Sequence, residues 1–441
     1  MSQSINQPLL IIALLYLLLT GGYTLAIPLW EAPDEPAHFI YANHFAQHGQ
    51  PQPRAAWLPG GWLRNVITGY EWYQTPPYYA ISGQILRINR ALNILPPFTD
   101  FPPIIATPSR VFAPTTPLIT EPHLLRFFSA LLGLATILIT YFLAKQVLPH
   151  QTWLPELAAG FVAFIPQFNF LYAYINNDTL AIVAASFGLL CLTTVARTPF
   201  PSSRRGWLLA GIASAPALAI KMTTWFLLPL AVVLALLNLK QGQRSLRDSL
   251  LDLLTFGLCA GSGLLISWLI WPDLLERLLG SPHSPGIRSE FLTLSYIVGL
   301  IPLTHSSFWG HFGWMNLPLP PLILAILDAV GLVGLAGAGW NLATQAKSIE
   351  YQQRKALTLL LMAILFVFLF FLLFNLTTIQ PQGRYFYPAI SAIGLFVGLG
   401  WLHLAGRHRK TVTFAILGLM LMLNILGLLT VILPTYGLFT G

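Results

Sequence analysis

Residues Leu9–Trp30 read LLIIALLYLLLTGGYTLAIPLW and run straight into EAPDEP at Glu31–Pro36. The first stretch carries no charge and is long enough, as a helix, to cross a hydrocarbon layer of ~30 Å. The second gathers Glu31, Asp34 and Glu35 within one short turn. A membrane helix that delivers an acidic turn to one face of the bilayer sets how the rest of the chain is read.

The composition agrees with that start. Of 441 residues, 55% are hydrophobic and 9% charged, where a soluble globular chain has ~25% charged. With a mean hydropathy of +0.67, this excludes a soluble enzyme. Further candidate spans lie at Leu124–Leu148, Leu157–Tyr174, Leu180–Ala196, Leu253–Trp271, Leu322–Trp340, Ala356–Ile379, Tyr385–Ala405 and Val412–Leu433. Trp207–Ile220 and Met222–Leu239 are shorter and meet at Lys221, as two short spans or a hairpin reaching part way across. The expected fold class is an all-α integral membrane protein with about eleven transmembrane helices. The formal charge of +8 fits basic membrane loops and gives no reason to invoke nucleic acid. Cys191 and Cys259 sit in apolar stretches without other ligand-type side chains, so no disulfide framework or cysteine metal site is expected.

Basic residues fall into loops that share one side: Lys145; Arg197, Arg204 and Arg205; Lys240, Arg244 and Arg247; Lys347, Arg354 and Lys355; Arg407, Arg409 and Lys410. By the positive-inside rule that side is cytoplasmic, the N-terminus is inside, and the protein sits multi-pass in the plasma (inner) membrane. Met1–Pro8 has no Lys or Arg, so the first span reads as retained and not as a cleaved signal. Two segments on the other side are too long for connectors. In the first outer loop, 31–123, the runs Pro76–Asn89 and Phe98–Pro108 read as interfacial helices or irregular loop. In the second, 272–321, the run Leu292–Thr304 is too short to cross and lies flat or re-enters. The chain divides into a transmembrane module at 1–271 that includes the first loop, the second loop, and C-terminal helices at 322–441.

Pro36 fits the first position of a helix running to Gly49, with Glu35 as its N-cap. Asp34, Glu35 and His38 then lie within about one turn. Acidic residues there commonly just cap the helix; the sharper reading is a catalytic base or metal ligand on which they converge. Other polar residues share this face: Arg126 near a span start, Asn176–Asn177–Asp178 at an outer turn, Lys221 between the short spans, and Arg384 in Gln382–Tyr385. Charges at such depth pair, line a watery cavity or snorkel to the headgroups. Trp57, Trp62, Trp72, Tyr73, Tyr78, Tyr79, Trp309 and Trp314 suit sugar stacking and equally suit the membrane interface. His305, His311 and Asn316 are too scattered for a zinc site, and Asp328 reads as an interhelical hydrogen-bonding group.

The acidic turn after the first span, the PPYY element at Pro76–Tyr79, and LLRFFSALLGLATILITYFLAK from Leu124 resemble the N-terminal half of the GT-C membrane glycosyltransferases. PQFNFLYAYINND, FWGHFGW and QGRYFYP make the chain most similar, within that superfamily, to a bacterial multispanning family of unknown function. The resemblance implies transfer of a sugar from a polyprenyl-phosphate carrier to a hydroxyl of a lipid, glycan or other acceptor at the outer face. It puts the base or metal ligand at Asp34 with Glu35 beside it, the carrier phosphate on Arg126, and a second acidic residue at Asp178. Lys221 and Arg384 join the phosphate site by topology and charge, with His38, Asn177 and Tyr385 in support. A divalent cation is optional, because no clear second ligand set is present. A single displacement would invert the anomeric centre. Without the large C-terminal domain of oligosaccharyltransferases, a protein acceptor is less expected. A lipid-linked-glycan flippase and a non-catalytic membrane subunit are the competing readings.

Overall fold

The computed structural model describes residues 6–54, 65, 67–114, 119–198, 204–240, 244–279, 293–345 and 348–437. Trp57, Trp62 and Lys347 lie outside the described residues, as does all of 280–292.

The first span is helix α1, Gln7–Ala26, with Asn6 capping it through Leu9 N–H. After the acidic turn come α2, Glu35–His48, and, on the same side, α3, Pro77–Leu92. Over the run Pro76–Asn89 the chain is helical, and α3 buries a face of Tyr78, Tyr79, Ser82, Gly83 and Leu86. The spans continue as α4, Pro122–Val147; α5, Leu154–Ala163, and α6, Pro166–Tyr172; α7, Asp178–Arg197; α8, Arg204–Ile220; α9, Leu227–Lys240; and α10, Leu246–Ile270. The second loop holds α11, Leu274–Leu279, α12, Leu294–Gly299, α13, Ile301–Trp309, and a two-stranded ribbon of β1, His311–Phe312, and β2, Leu317–Pro318. Then follow α14, Pro321–Gln345; α15, Tyr351–Asn375; α16, Ile390–Ala405; α17, Arg409–Gly427; and α18, Leu433–Tyr436.

The all-α membrane architecture is as expected, and a count by length and apolarity alone takes the stretch Gly383–Tyr436 as one helix. Among the described residues eight helices are long and apolar enough to cross, or nine if the bent pair counts as one more. The expected single span at Leu157–Tyr174 is that pair, bent by 64°. Ile165 is extended and Pro166 has no N–H to continue the ladder, which forces the break. The apolar stretch Gly383–Tyr436 also reverses. Gly398 lies against Leu154 and Gly394 against Val162, while Leu417 lies against Gly160 and Asn424 donates to Phe164 O. Thus α16 runs antiparallel to α5 and α17 parallel to it, and the chain turns at left-handed Gly406. At the second loop, the described part of the run Leu292–Thr304, from 293, holds two short helices meeting at Leu300, and Phe98–Pro108 forms no helix but bridges from Ile104 to Phe112.

Lipid gives helices no hydrophobic reason to associate, so close backbone approach must hold them. A Cβ on Gly400 of α16 would stand 1.7 Å from Gly334 O of α14, and one on Gly263 of α10 2.2 Å from Ala215 O of α8. The first outer loop is tied down by charge. Glu31 accepts the Val111 and Phe112 N–H groups, Arg90 grips Glu121 at 2.7 Å and Asn43 at 2.7 Å, and Arg277 donates to Gln52 O and Trp72 O. The basic connections meet at the opposite end, where Arg197 pairs with Glu350 at 3.0 Å and Arg244 with Asp252 at 3.0 Å.

Gly400→Val should therefore lower the melting temperature of the detergent-purified protein, on the scale of an overpacked core, about 1–3 kcal/mol. Gly339→Ala, in the same α14–α16 region but with open space at its Cβ, should leave it unchanged.

Candidate active site

The acidic turn divides its carboxylates between two environments. Asp34, at the cap position of α2, is left-handed at φ +62°, and Glu35 opens the helix with Pro36 second. This corrects the expectation that Glu35 is the cap: helical backbone begins at Glu35 because Asp34 cannot continue it. Asp34 makes no capping hydrogen bond with its side chain, so capping is not its task.

Glu35 turns inward. Both its oxygens accept from Arg126, Nε to Oε1 and Nη2 to Oε2, each at 2.7 Å. Trp30 N–H and Ile175 N–H complete the carboxylate at 2.9 and 3.2 Å. Arg126 gives its remaining donors to Thr24 O, Ile27 O and Pro28 O. Both side chains are 0% exposed. Every guanidinium proton is engaged. Arg126 thus has no donor left over for a carrier phosphate, and Glu35 is closed off from solvent. Together they staple the end of α1 to the starts of α2 and α4, and the expected convergence of Asp34, Glu35 and His38 is not formed.

Asp34 points the other way, with its side chain 26% exposed. Tyr70 hydroxyl donates to Oδ1, and Arg384 Nη2 stands 3.9 Å from Oδ2. Arg384 also faces Asp178 at 3.6 Å and donates to Tyr174 hydroxyl at 2.8 Å. Lys221 Nζ meets Asp178 at 2.5 Å and Asn177 Oδ1 at 3.1 Å. The residues come from separated places: the turn before α7, the break between α8 and α9, and a 3-10 turn at Gly383–Ala389 held by Ser307 Oγ on Gly383 N–H. Arg384 Nε is buried with no hydrogen-bond partner. Beside this cluster a small apolar recess of ≈ 20 Å³ is lined by Val367, Phe370, Phe371 and Phe374 of α15 with Thr223 and Tyr385.

Glu71 belongs to the same neighbourhood and was not singled out from the sequence. It is buried, with Gln74 donating to it at 2.7 Å and Tyr73 hydroxyl at 3.4 Å. Burial, and then the Asp34 charge, push its carboxyl up to about 7. Gln74 in turn accepts from Asn177 at 2.8 Å, which links Glu71 to Lys221. Its signal was the aromatic flanks of Tyr70–Tyr73, just ahead of the PPYY element. His38 is buried against Tyr79 hydroxyl at 2.7 Å, within electrostatic reach of Lys221, Asp178 and Arg384, and burial, with the Lys221 charge next, holds its pKa down to about 3, so the ring is neutral. Among the described residues no three His, Cys, Asp or Glu side chains are grouped to hold a metal ion. The carboxylates of Asp34 and Asp178 already face Arg384 and Lys221, which does not fit a metal at this point. Trp314 and Trp309 have structural partners, Trp30 O and Asp328, and Asp328 bridges Trp309 and His305 as an interhelical group.

The fold is that of solved GT-C membrane glycosyltransferases, as the sequence resemblance implied. Residues 121–284 match the family described as dolichyl-phosphate-mannose-protein mannosyltransferase. The chain is similar to ArnT from Cupriavidus metallidurans bound to undecaprenyl phosphate, at 15% identity and TM-score 0.51 over 92% of this chain and 62% of that one. It is also similar to the oligosaccharyltransferase AglB from Archaeoglobus fulgidus in complex with an inhibitory peptide and a dolichol-phosphate, at 12% identity and TM-score 0.56 over 94% and 55%. The Archaeoglobus fulgidus oligosaccharyltransferase complex with Zn and sulfate gives 13% identity and TM-score 0.54 over 95% and 52%. The chain thus spans between about half and 62% of the length of these structures. A search of the curated proteins gives no match.

Breaking the buried pair should cost about 3–5 kcal/mol: Glu35→Gln or Arg126→Met should strongly reduce the melting temperature or the yield of folded protein, whereas Asp34→Asn should not. For Glu71, the folded carboxyl binds its proton up to pH near 7 and the unfolded one only to about 4.5. The folded state holds the extra proton in that window, so this group withdraws stability as pH rises through it. Glu71→Gln should therefore gain in melting temperature relative to the parent between pH 5 and 8. His38 acts in the opposite sense but equally in both proteins, so the difference isolates Glu71.

Proposed function

We propose that the protein is a membrane glycosyltransferase that moves a sugar from a polyprenyl-phosphate carrier to an acceptor hydroxyl at the outer face of the plasma membrane. The observation that carries this reading is the partly open Asp34 carboxylate facing Arg384, with Lys221 beyond it, next to an apolar recess. A lipid phosphate-linked sugar needs an apolar path for its tail, cations for its phosphate and a base near its anomeric carbon.

In this mechanism Asp34 takes the proton from the acceptor hydroxyl as its oxygen bonds to the anomeric carbon. The bond from that carbon to the phosphate oxygen breaks, and its electron pair leaves with the polyprenyl phosphate. Arg384 and Lys221 stabilise the charge that develops there, as fixed donors do best in a site shielded from water. The unpartnered Arg384 Nε is a donor that a ligand oxygen would satisfy. Asp178 and Asn177 orient Lys221, Tyr70 orients Asp34, and Tyr385 forms the junction of recess and cluster. One displacement inverts the anomeric centre. The acceptor is a lipid, glycan or other hydroxyl compound. Orientation follows from the basic connections at the opposite end, which the positive-inside rule assigns to the cytoplasm.

The test is transfer in proteoliposomes from a polyprenyl-phosphate sugar to membrane-extract acceptors. Asp34→Asn should reduce turnover by roughly 10²–10⁴-fold while the protein remains folded, and Arg384→Gln should weaken use of the donor. Full activity in a folded Asp34→Asn protein would remove Asp34 from the chemistry.

A further inference from the structure

At the basic end, three connections converge on a cavity of ≈ 360 Å³. Gln151 comes from the turn between α4 and α5, Asn341, Gln345 and Gln353 from α14 and α15, and His403 and Arg409 from α16 and α17. Arg384 precedes α16 and His403 lies near its end, so the sixteen residues of that helix, roughly 24 Å, separate this cavity from the Asp34 cluster. It is a different site.

Beside Leu148, Ile349 and Leu399 its lining is polar and rich in donors. No carboxylate among the described residues lines it. Among the described residues the Arg409 guanidinium makes no hydrogen bond or ion pair, although Arg197 and Arg244 at the same end both have carboxylates. Asn341 Nδ2 lies 3.0 Å from His403 Nδ1. With the amide donating, Nδ1 accepts and the neutral ring keeps its proton on Nε2 as one more donor. Amides of Gln151, Gln345 and Gln353 complete a set suited to phosphate oxygens.

The surroundings indicate how such a phosphate arrives. Trp340 packs edge-on to His403 with ring centroids 5.5 Å apart and is itself exposed on the outside of the bundle. Leu404, Leu335 and Leu332 are exposed on the same two helices. An indole at the level of the headgroups with bare leucines below it on α14 is the boundary between lipid and water. Basic pockets between transmembrane helices on the cytoplasmic side suit anionic headgroups.

We propose that this cavity binds the phosphate headgroup of an anionic phospholipid of the leaflet opposite the Asp34 cluster, with Arg409 and His403 on the phosphate and the acyl chains along α14. The inference does not depend on the catalytic reading.

The full-length protein is placed in nanodiscs of phosphatidylcholine, with or without phosphatidylglycerol, and both its melting temperature and its retained lipids by native mass spectrometry are read. The parent should melt higher with phosphatidylglycerol and retain it preferentially. Arg409→Gln should melt as the parent does in phosphatidylcholine and lose the preference about fivefold, the effect of one interfacial cation. Should that variant misfold, His403→Gln, expected to weaken retention in the same direction, serves in its place. Equal phosphatidylglycerol retention by parent and folded variants overturns the proposal. So does an equal melting shift from inorganic phosphate in phosphatidylcholine discs, which would make the ligand a soluble phosphate.

Discussion

The structure depends on one buried ion pair. Glu35 and Arg126 are removed from solvent entirely, and an unpaired charge there would be severely destabilising. The arrangement escapes this because no hydrogen-bonding capacity is left over: two bonds join the pair, three run to carbonyls at the end of α1, and two N–H groups finish the carboxylate. A helix end leaves carbonyls without partners, and Arg126 supplies them. The same contacts bring Ile175, just before α7, to the acidic turn, so one pair sets the spacing of four elements around the cluster.

What that spacing produces is an alternation of charge. Asp34, Arg384, Asp178 and Lys221 form a chain in which each cation touches a carboxylate and the formal charges cancel. In a site of low dielectric, such neutrality lets charges persist that could not persist singly. Glu71 stands outside the balance, and burial, with the Asp34 charge next, keeps its proton on to a pH near 7. In the proposed reaction the donor's phosphodiester would add a negative charge to this balance, which a protonated Glu71 tolerates better than an ionised one.

The spans and the two faces were legible in the sequence because length and loop charge are direct physical signals. Gly49 as the end of α2 and the gathering of Asp34, Asp178, Lys221 and Arg384 at one face were legible for the same reason. The partner of Arg126 was not. Two adjacent acids compete for it, and which one turns inward depends on a single backbone dihedral that composition does not encode. Glu71 was hidden in a segment of aromatics and prolines with no periodicity to place it. The bend at Pro166 was legible in principle from the proline, but hydrophobicity alone reads through it.

That dihedral is where the argument closes. A non-glycine residue in the left-handed region costs roughly 1–2 kcal/mol, and Asp34 sits there at φ +62°. In continuous helix Asp34 and Glu35 would project about 100° apart, and both would remain near the same wall. The left-handed turn separates them further, so that Glu35 enters the dry interior and Asp34 faces Tyr70 and Arg384. The strain is held by Glu35 itself, since its bonds to Arg126, Trp30 and Ile175 fix the residue that follows the turn. The anchoring acid thus supplies the stability with which its neighbour is kept exposed, and loss of the anchor would disorder the proposed base even though the two never touch the same group.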